Sequence, residues 1–239
     1  MKKQWVTYLK FFGLLALMVF LFAFTSNRNK KRKIHQVSVE FIEEQNPYIN
    51  EKTVNKLLIQ NPEQVTSVGK EILVLNTVEK ELDTHLMVEE SDVYVTVSGE
   101  LRARIKQRTP IARVNAMTPF YVDSKGAVMP LSDNYAAHVP LIYNVAENEV
   151  KEIFPLLKII REDTFLKKHI VGIIRNAKGE YELDLRVYDF TLVLGKIQNL
   201  NSKFRNFKAF YQKALKDNSM TRYSKINLQY KNQVVCTIK

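Results

Sequence analysis

The longest apolar segment of the chain lies near its start, at residues 5–25 (WVTYLKFFGLLALMVFLFAFT). It contains about 20 residues, and at about 1.5 Å of helical rise per residue it spans the roughly 30 Å hydrocarbon core of a membrane. Lys10 is its only charge and lies near the N-terminal end, where the ammonium group reaches the interface. A signal peptide is the competing interpretation, but its apolar region is shorter, and Ala23-Phe24-Thr25 is a poor cleavage site. The segment therefore predicts one uncleaved transmembrane helix.

Alternating and helical patterns follow one another in the next part of the chain. Alternation predicts a strand over 35–42 (HQVSVEFI), and Asn50 is the predicted cap of a helix. A second helix is predicted to begin at Asn76, with Leu86 at the end of its buried stripe. A period of two over 93–105 then predicts an antiparallel hairpin whose arginine side chains face water. These elements predict a small sheet with both helices on one side.

From Gln107 onward the pattern is typical of hairpins: QRTPIARV, TPFYVDSKGAVMPLS and HVPLI. Pro110 and Pro119 confine their segments to the starts or edges of strands, because proline has no N–H to give to a sheet. Short strands flank residues 123–126 (DSKG), a loop whose glycine tolerates a positive φ.

Helices and strands then alternate along the chain. A helix that restarts near Pro155 is predicted over 147–168, and a second helix over 201–216. The apolar face of the second helix consists of Phe204, Phe207, Tyr211 and Leu215. The strands predicted between the two helices are 170–174, 181–187 and 191–196.

The chain ends with two strand-like segments, 223–230 and 234–239, separated by a turn at Lys231-Asn232. A last strand with no successor lies, in one interpretation, at a sheet edge whose unpaired N–H and C=O groups are open to another chain. In the alternative, Lys231 and Lys239 simply protect that edge from aggregation. The residues alone support the two interpretations equally.

The net charge of +11 is unevenly distributed along the chain. Residues 1–33 hold eight basic and no acidic side chains, residues 34–195 have a net charge of −6, and residues 196–239 have a net charge of +9. A basic tail suggests nucleic acid, but these cations follow an amphipathic helix and a strand without a groove-reading motif. A solvated basic face is favoured, with an acidic protein partner or an anionic envelope polymer as the more specific alternatives.

The sequence offers little catalytic chemistry. Cys236 is the only cysteine, which excludes an intrachain disulfide, and its apolar surroundings predict a small buried side chain. The four histidines lack metal-ligand spacing. Ser67 and Lys70 form a Ser-x-x-Lys string without the companion motifs of a serine hydrolase, and Asp123 is explained by its turn. The sequence therefore predicts no catalytic residue, no metal ligand and no cofactor, and hence no enzyme.

A set of residues in the hairpin region forms a more specific pattern: Arg108, Pro110, Ala112, Tyr121, Val122, Asp123, Gly126 and Pro140. This pattern resembles the FtsQ/DivIB family of bacterial division proteins, in which a Glu-Arg-x-Pro-Val-Ala-like strand leads to Tyr-x-Val-Asp-x-x-Gly-x-x-Phe and later to a Leu-Pro segment. The chain departs from it at Gln107, which replaces the acid, and at Met129, which replaces the aromatic residue. No glycine follows Leu141-Ile142, whereas Leu194-Gly195 resembles a Val-x-Leu-Gly element of the family.

The resemblance covers nearly the whole chain and implies an α+β protein with a single N-terminal transmembrane helix. Its expected parts are a cytoplasmic N-terminus at 1–10, the transmembrane helix at 5–25, a basic juxtamembrane neck at 26–34, a POTRA-like domain at 35–107 and a β-rich domain with flanking helices at 108–239. The family places the C-terminal domains in the periplasm, although the larger number of cations after the apolar segment favours a cytoplasmic C-terminal part when counted literally. The absence of a long tail after the last strand favours the FtsQ form over the DivIB form.

In the family, the C-terminal strand binds the small division protein FtsB by strand addition. The resemblance therefore implies a non-catalytic scaffold of the inner membrane at the division septum, which links early division proteins to FtsB, FtsL and septal peptidoglycan synthesis. The expected contacts are Tyr230, Gln233, Val234, Val235 and Thr237.

Two other functions are consistent with the residues. One is a POTRA-bearing adaptor of outer-membrane protein assembly or secretion, although such proteins usually carry several POTRA units and a barrel. The other is a membrane-anchored envelope hydrolase, for which a deep cleft with clustered carboxylates of shifted pKa is the distinguishing feature.

Overall fold

The computed structural model describes residues 2–30, 36–42, 47–59, 72–231 and 233–239. Residues 31–34 of the basic neck, His35 of the first predicted strand, the Ser67–Lys70 string and Asn232 of the last turn lie outside these ranges. The chain divides into two compact units, Met1–Gln107 and Arg108–Lys239. Each unit has a hydrophobic core of its own.

The first helix, α1 (Lys2–Lys30), contains the predicted apolar segment and extends beyond both of its ends. Its Tyr8–Asn27 part has 20 residues and a mean hydropathy of 2.0, and none of it is buried in the protein. A helix that exposes phenylalanine and leucine all around fits an apolar solvent rather than water. One helix of the described chain is thus long and apolar enough to cross a membrane.

The rest of the N-terminal unit is a three-stranded sheet with two helices. The elements are β1 (Gln36–Phe41), α2 (Glu51–Ile59), α3 (Ile72–Asp83), β2 (Val88–Val95) and β3 (Glu100–Gln107). The strand order is β1-β3-β2, with β1 parallel and β2 antiparallel to β3. Inward-facing valine, leucine and isoleucine side chains from both helices and all three strands form one core, as the alternation predicts. Arg102 and Arg104 face outward, where Arg104 pairs with Glu40 at 3.2 Å.

Two predictions for the helices of this unit are corrected. Asn50 caps α2 by accepting the N–H of Thr53 at 2.7 Å, as predicted, but α3 begins at Ile72 and not at Asn76. Asn76 is exposed in the middle of α3, where its amide remains in solvent and does not end the helix. Leu86 lies beyond the end of α3 and is 59% exposed, because the chain turns after Asp83.

The C-terminal unit is built on one nine-stranded mixed sheet. Its strands are β4 (Pro110–Asn115), β5 (Phe120–Asp123), β6 (Val128–Pro130), β7 (Leu141–Tyr143), β8 (Ile170–Arg175), β9 (Tyr181–Leu185), β10 (Thr191–Gly195), β11 (Tyr223–Asn227) and β12 (Val235–Ile238). Its helices are α4 (Val150–Glu162), α5 (Thr164–His169) and α6 (Leu200–Lys216), with 3-10 turns at Glu147–Glu149 and Met220–Arg222. The strand order is β12-β11-β10-β9-β8-β7-β4-β5-β6. β12 is therefore an edge strand.

The buried face of α6 differs from the prediction at one position. Phe204, Phe207 and Tyr211 are buried as expected, but Leu215 is 53% exposed and Ala214 is buried in its place. At 100° per residue, Ala214 lies closer than Leu215 to the centre of the apolar stripe.

The predicted restart near Pro155 is wrong, because α4 runs through this proline. Pro155 is the sixth of the 13 residues of α4 and lies inside the helix, where its missing N–H removes one backbone hydrogen bond. The helix instead breaks at Asp163, whose backbone is extended (φ −97°, ψ 114°). The Asp163 carboxylate accepts the N–H groups of Phe165 and Leu166 and caps α5.

Asp163 also forms an ion pair with Lys208 of α6. Burial alone would raise the pKa of Asp163, but Lys208 and the two capping N–H groups together lower it. Because this pKa is lower in the folded state, the ionised Asp163 carboxylate stabilises the folded protein fully above the ordinary carboxyl pKa of about 4. This stabilisation is lost as the pH falls through the lowered pKa.

We therefore expect Lys208→Gln to lower the free energy of unfolding at pH 7 by about 0.5–1 kcal/mol, since the pair is partly solvent-screened. The difference from the unaltered protein is expected to be smaller at acid pH than at pH 7, because the Asp163 carboxyl becomes protonated as the pH falls through its lowered pKa. Denaturant unfolding of the full chain at the two pH values measures it. A difference of the same size at both pH values would contradict the assignment.

Candidate functional site: the C-terminal edge of the sheet

The edge strand β12 is anchored to the unit by one of its faces. It pairs antiparallel with β11, with Ile226 opposite Cys236 and Asn227 opposite Val235. The side chains of Val234 and Cys236 pack against the core, and burial raises the pKa of the Cys236 thiol. The prediction that Cys236 is an apolar packing residue fits this partly buried position.

The other face of β12 is open to solvent. Val235 is 42% exposed and Ile238 is 70% exposed, and Thr237 is exposed as well. Val235 and Thr237 lie on this open face, whereas Ile238 shares the face of Cys236 and is exposed because the strand ends there. A partner strand placed beside β12 would find these side chains available for packing.

The direction of the backbone groups follows from one hydrogen bond at the end of the strand. Lys239 donates its N–H to the carbonyl oxygen of Arg222 at 2.9 Å. Since the N–H groups of a strand alternate in direction, the N–H of Thr237 also points to β11, and those of Cys236 and Ile238 point away from it. The outer edge thus presents two amide donors to an incoming strand.

The position of β11, and so of β12, depends on the helix that connects it to β10. β10 and β11 are parallel, with α6 as the crossover between them. Leu228 extends the pairing by donating its N–H to the carbonyl oxygen of Val193 at 2.9 Å. The Lys203 side chain of α6 donates to the carbonyl oxygens of Leu194 and Lys196, which ties the helix to the end of β10.

Gly195 marks the point where the end of β10 meets the chain that leads to β12. It has a φ of +73°, and a Cβ at this position would lie 2.6 Å from the Nε2 atom of Gln229. The Gln229 amide in turn donates to Glu180 at 3.2 Å.

Gly195→Ala is expected to lower the free energy of unfolding by about 1–3 kcal/mol, because alanine is strained at this φ and Gln229 must move. Gly13→Ala in α1 is the matched control, since a Cβ there meets nothing within 4 Å. Thermal unfolding of both variants tests the effect. Equal midpoints for the two would show that the Gly195 geometry is not required.

The five residues predicted as contacts surround this edge, although they do not form one surface. Tyr230 is 50% exposed in the segment before β12, and Gln233, Val235 and Thr237 are exposed. Val234 turns toward the core. Sequence reasoning omitted Ile238, which is 70% exposed. Continued alternation from Cys236 marks position 238 as inward, but the strand ends there.

The hairpin motif of the sequence serves the structure of the unit. Asp123 is 1% exposed, and its carboxylate accepts the N–H groups of Lys125 and Ala127 at 2.9 and 2.7 Å. The Arg108 guanidinium pairs with the same carboxylate at 2.8 Å. Gly126 has the positive φ (83°) that the loop was expected to need. Asp123 is thus occupied by its turn and by Arg108.

The described residues contain no group of three or more histidine, cysteine or acidic side chains that would hold a metal ion. A cleft of about 950 Å³ in the described C-terminal unit is lined by Glu152 as its only carboxylate. This lining does not resemble the clustered carboxylates that distinguish the hydrolase alternative.

An apolar N-terminal helix, an α+β body and an exposed C-terminal strand define a membrane-anchored protein with a free sheet edge. The sequence model described as FtsQ/DivIB, C-terminal related, matches residues 109–237, which is more than half of the chain. The chain belongs to the FtsQ/DivIB family, a non-catalytic family with a role in cell division. No curated protein matches the sequence. The family and the α+β fold expected from the sequence are thus confirmed.

Proposed function

We propose that this protein is a non-catalytic scaffold of the division machinery, and that it acts by adding a strand of its FtsB partner to β12. The edge position of β12 carries the proposal. Backbone hydrogen bonds to an added strand provide affinity, and the side chains on the open face provide selectivity. FtsL would be recruited together with FtsB, and the pair would connect the protein to septal peptidoglycan synthesis.

The charge of the sheet edge distinguishes strand addition from simple protection against aggregation. Protected edges carry inward-pointing charges, bulges or prolines along the strand. β12 contains Val235, Cys236, Thr237 and Ile238 and no charge, with lysines only at 231 and 239. The opposite edge, β6, is three residues long and ends in Pro130. The contrast between the two edges favours β12 as an edge left open for a partner.

We further propose that α1 anchors the chain in the inner membrane, with the N-terminus in the cytoplasm and the folded units in the periplasm at the division septum. The long apolar part of α1 supports the anchor, and membership of the family supports the orientation. The three-stranded unit at 36–107 has the element order of a POTRA-like domain, and in this proposal it meets division proteins that arrive earlier.

The adaptor alternative rests on the same three-stranded unit. A protein of outer-membrane assembly or secretion would use that unit, and not β12, as its main contact. The two proposals therefore differ in which unit carries the partner.

Affinity purification of the full chain from membranes tests the proposal. We expect FtsB and FtsL to co-purify with the unaltered protein, and a reporter fused after Lys239 to be active only in a periplasmic assay. Deleting 231–239 is a poor variant, since it would also uncover core residues beneath Val234 and Cys236. Recovery of outer-membrane assembly proteins without FtsB would favour the adaptor, and a cytoplasmic reporter would contradict the proposed orientation.

A further inference from the structure

A basic cleft in the C-terminal unit is not explained by strand addition at β12. It has a volume of about 950 Å³ and lies among α4, the turn between β8 and β9, the loop after β10 and the first two turns of α6. None of its lining residues in the described chain comes from β11 or β12. It is therefore separate from the edge at which a partner strand is proposed to bind.

The charge of the cleft is strongly one-sided. Arg175, Lys178, Lys196 and Arg205 line it, against a single carboxylate, Glu152. Arg175 is neutralised by Glu149 at 2.8 Å and by Glu152 at 3.6 Å. The other three cations have no carboxylate within 4.0 Å among the residues that the structure describes. Three uncompensated positive charges around one concave surface create a local potential that attracts anions.

The floor of the cleft adds hydrogen-bond donors to this charge. Asn199, the residue before α6, has a φ of 52° and makes no side-chain cap. Its carbonyl oxygen accepts the N–H groups of Ser202 and Lys203, which leaves those of Leu200 and Asn201 without an acceptor in the described structure. Lys196 lies in the loop after β10, and Arg205 lies in α6. The Lys203 side chain of α6 donates to the carbonyl oxygen of Lys196, and this hydrogen bond holds the loop against the helix.

The size of the cleft decides which anion fits. A volume of about 950 Å³ lies in the range of roughly 300–1,000 Å³ that small-molecule sites occupy, and one side-chain carboxylate would fill a small part of it. A phosphate group carries about −1.5 to −2 charges and three acceptor oxygens, so one or two of them balance three cations. Lysine, arginine and backbone N–H groups are the donors that phosphate sites use.

We propose that this cleft binds a phosphate-bearing ligand, either a soluble phosphate ester or a lipid headgroup. Lys178, Lys196 and Arg205 provide the charge, and the start of α6 provides the N–H donors. The proposal goes beyond the division role and does not depend on capture of FtsB.

Pyrophosphate is the probe that tests the cleft. Calorimetric titration of the full chain in zwitterionic nanodiscs at low salt is expected to give saturable binding below about 1 mM. Arg205→Gln is expected to weaken that binding about tenfold through loss of a bidentate donor. Lys213→Gln is the matched control, since it removes the same charge from the same helix about 12 Å or more along its axis and should leave binding unchanged.

Two further arms identify the ligand. In nanodiscs that contain phosphatidylglycerol, loss of pyrophosphate binding would assign the site to a headgroup, and retained binding would assign it to a soluble ester. Non-saturable binding, or equal weakening by Arg205→Gln and Lys213→Gln, would overturn the proposal. Tighter binding of hexaglutamate than of pyrophosphate would also overturn it, because the cleft would then be a site for an acidic peptide.

Discussion

Ile238→Pro in β12 is expected to weaken FtsB binding by about thirtyfold or more, which corresponds to about 2 kcal/mol for a lost backbone bond and a steric clash in the new pairing. Proline removes the N–H of Ile238, which points away from β11. The Ile238 side chain is 70% exposed, so the substitution removes little packing from the core. The defect should therefore appear in partner binding and not in folding.

Ile238→Val is the matched control for this variant. It retains the N–H and a β-branched side chain, so binding is expected to remain within about threefold of the unaltered protein. Affinity for FtsB, measured with both variants in nanodiscs, separates the two substitutions. Unaltered binding by Ile238→Pro would show that no strand is added at this position of β12.

Asp123→Ala is expected to cause the largest loss of stability, about 3–5 kcal/mol, because it removes the buried carboxylate that pairs with the partly buried Arg108 guanidinium at 2.8 Å. The same change removes the acceptor for the N–H groups of Lys125 and Ala127. The loop between β5 and β6 would then lose the bonds that hold its shape. Denaturant unfolding of the C-terminal unit within the full chain measures the loss.

Asp123→Asn separates the two roles of this carboxylate. The asparagine oxygen still accepts from the loop, whereas the ion pair with Arg108 is lost, so we expect an intermediate loss of about 1–3 kcal/mol. A catalytic role for Asp123 would instead give a variant with normal stability. Equal, small effects of both substitutions would contradict the structural role assigned here.

The edge position of β12 was within reach of sequence reasoning, whereas the order of the strands beyond β11 was not. A final strand with no successor is a candidate edge, and the turn before it predicts antiparallel pairing with β11. The parallel pairs β4–β7, β7–β8 and β10–β11 join segments that are distant in sequence. Nothing in local periodicity records such pairing, because it depends on crossover connections.

The errors in the helices have a common origin in local rules that the tertiary structure overrides. Asn76 and Pro155 are residues that often start or end helices, yet α3 and α4 continue through them. Leu86 and Leu215 are apolar at helical spacing, but one lies past the helix end and the other lies off the centre of the buried face. Propensity and spacing therefore identify these helices, but they misplace the helix ends and the edge of the buried face.

The basic cleft escaped sequence reasoning for a different reason. Lys178, Lys196 and Arg205 lie on a turn, a loop and a helix, and only the fold brings them to one surface. The sequence indicated a basic tail from residue 196 onward, but Lys178 belongs to the acidic part of the chain. Net charge by segment therefore located part of this surface and missed the rest.

Amide hydrogen exchange of the full chain, with and without FtsB, tests strand addition at β12 most directly. The N–H groups of Cys236 and Ile238 point outward, so FtsB is expected to slow their exchange by about tenfold or more. The N–H groups of Thr237 and Lys239 already face β11 and serve as internal references that should change less. Unchanged exchange at Cys236 and Ile238, with protection appearing in β1 or β2 instead, would contradict the account.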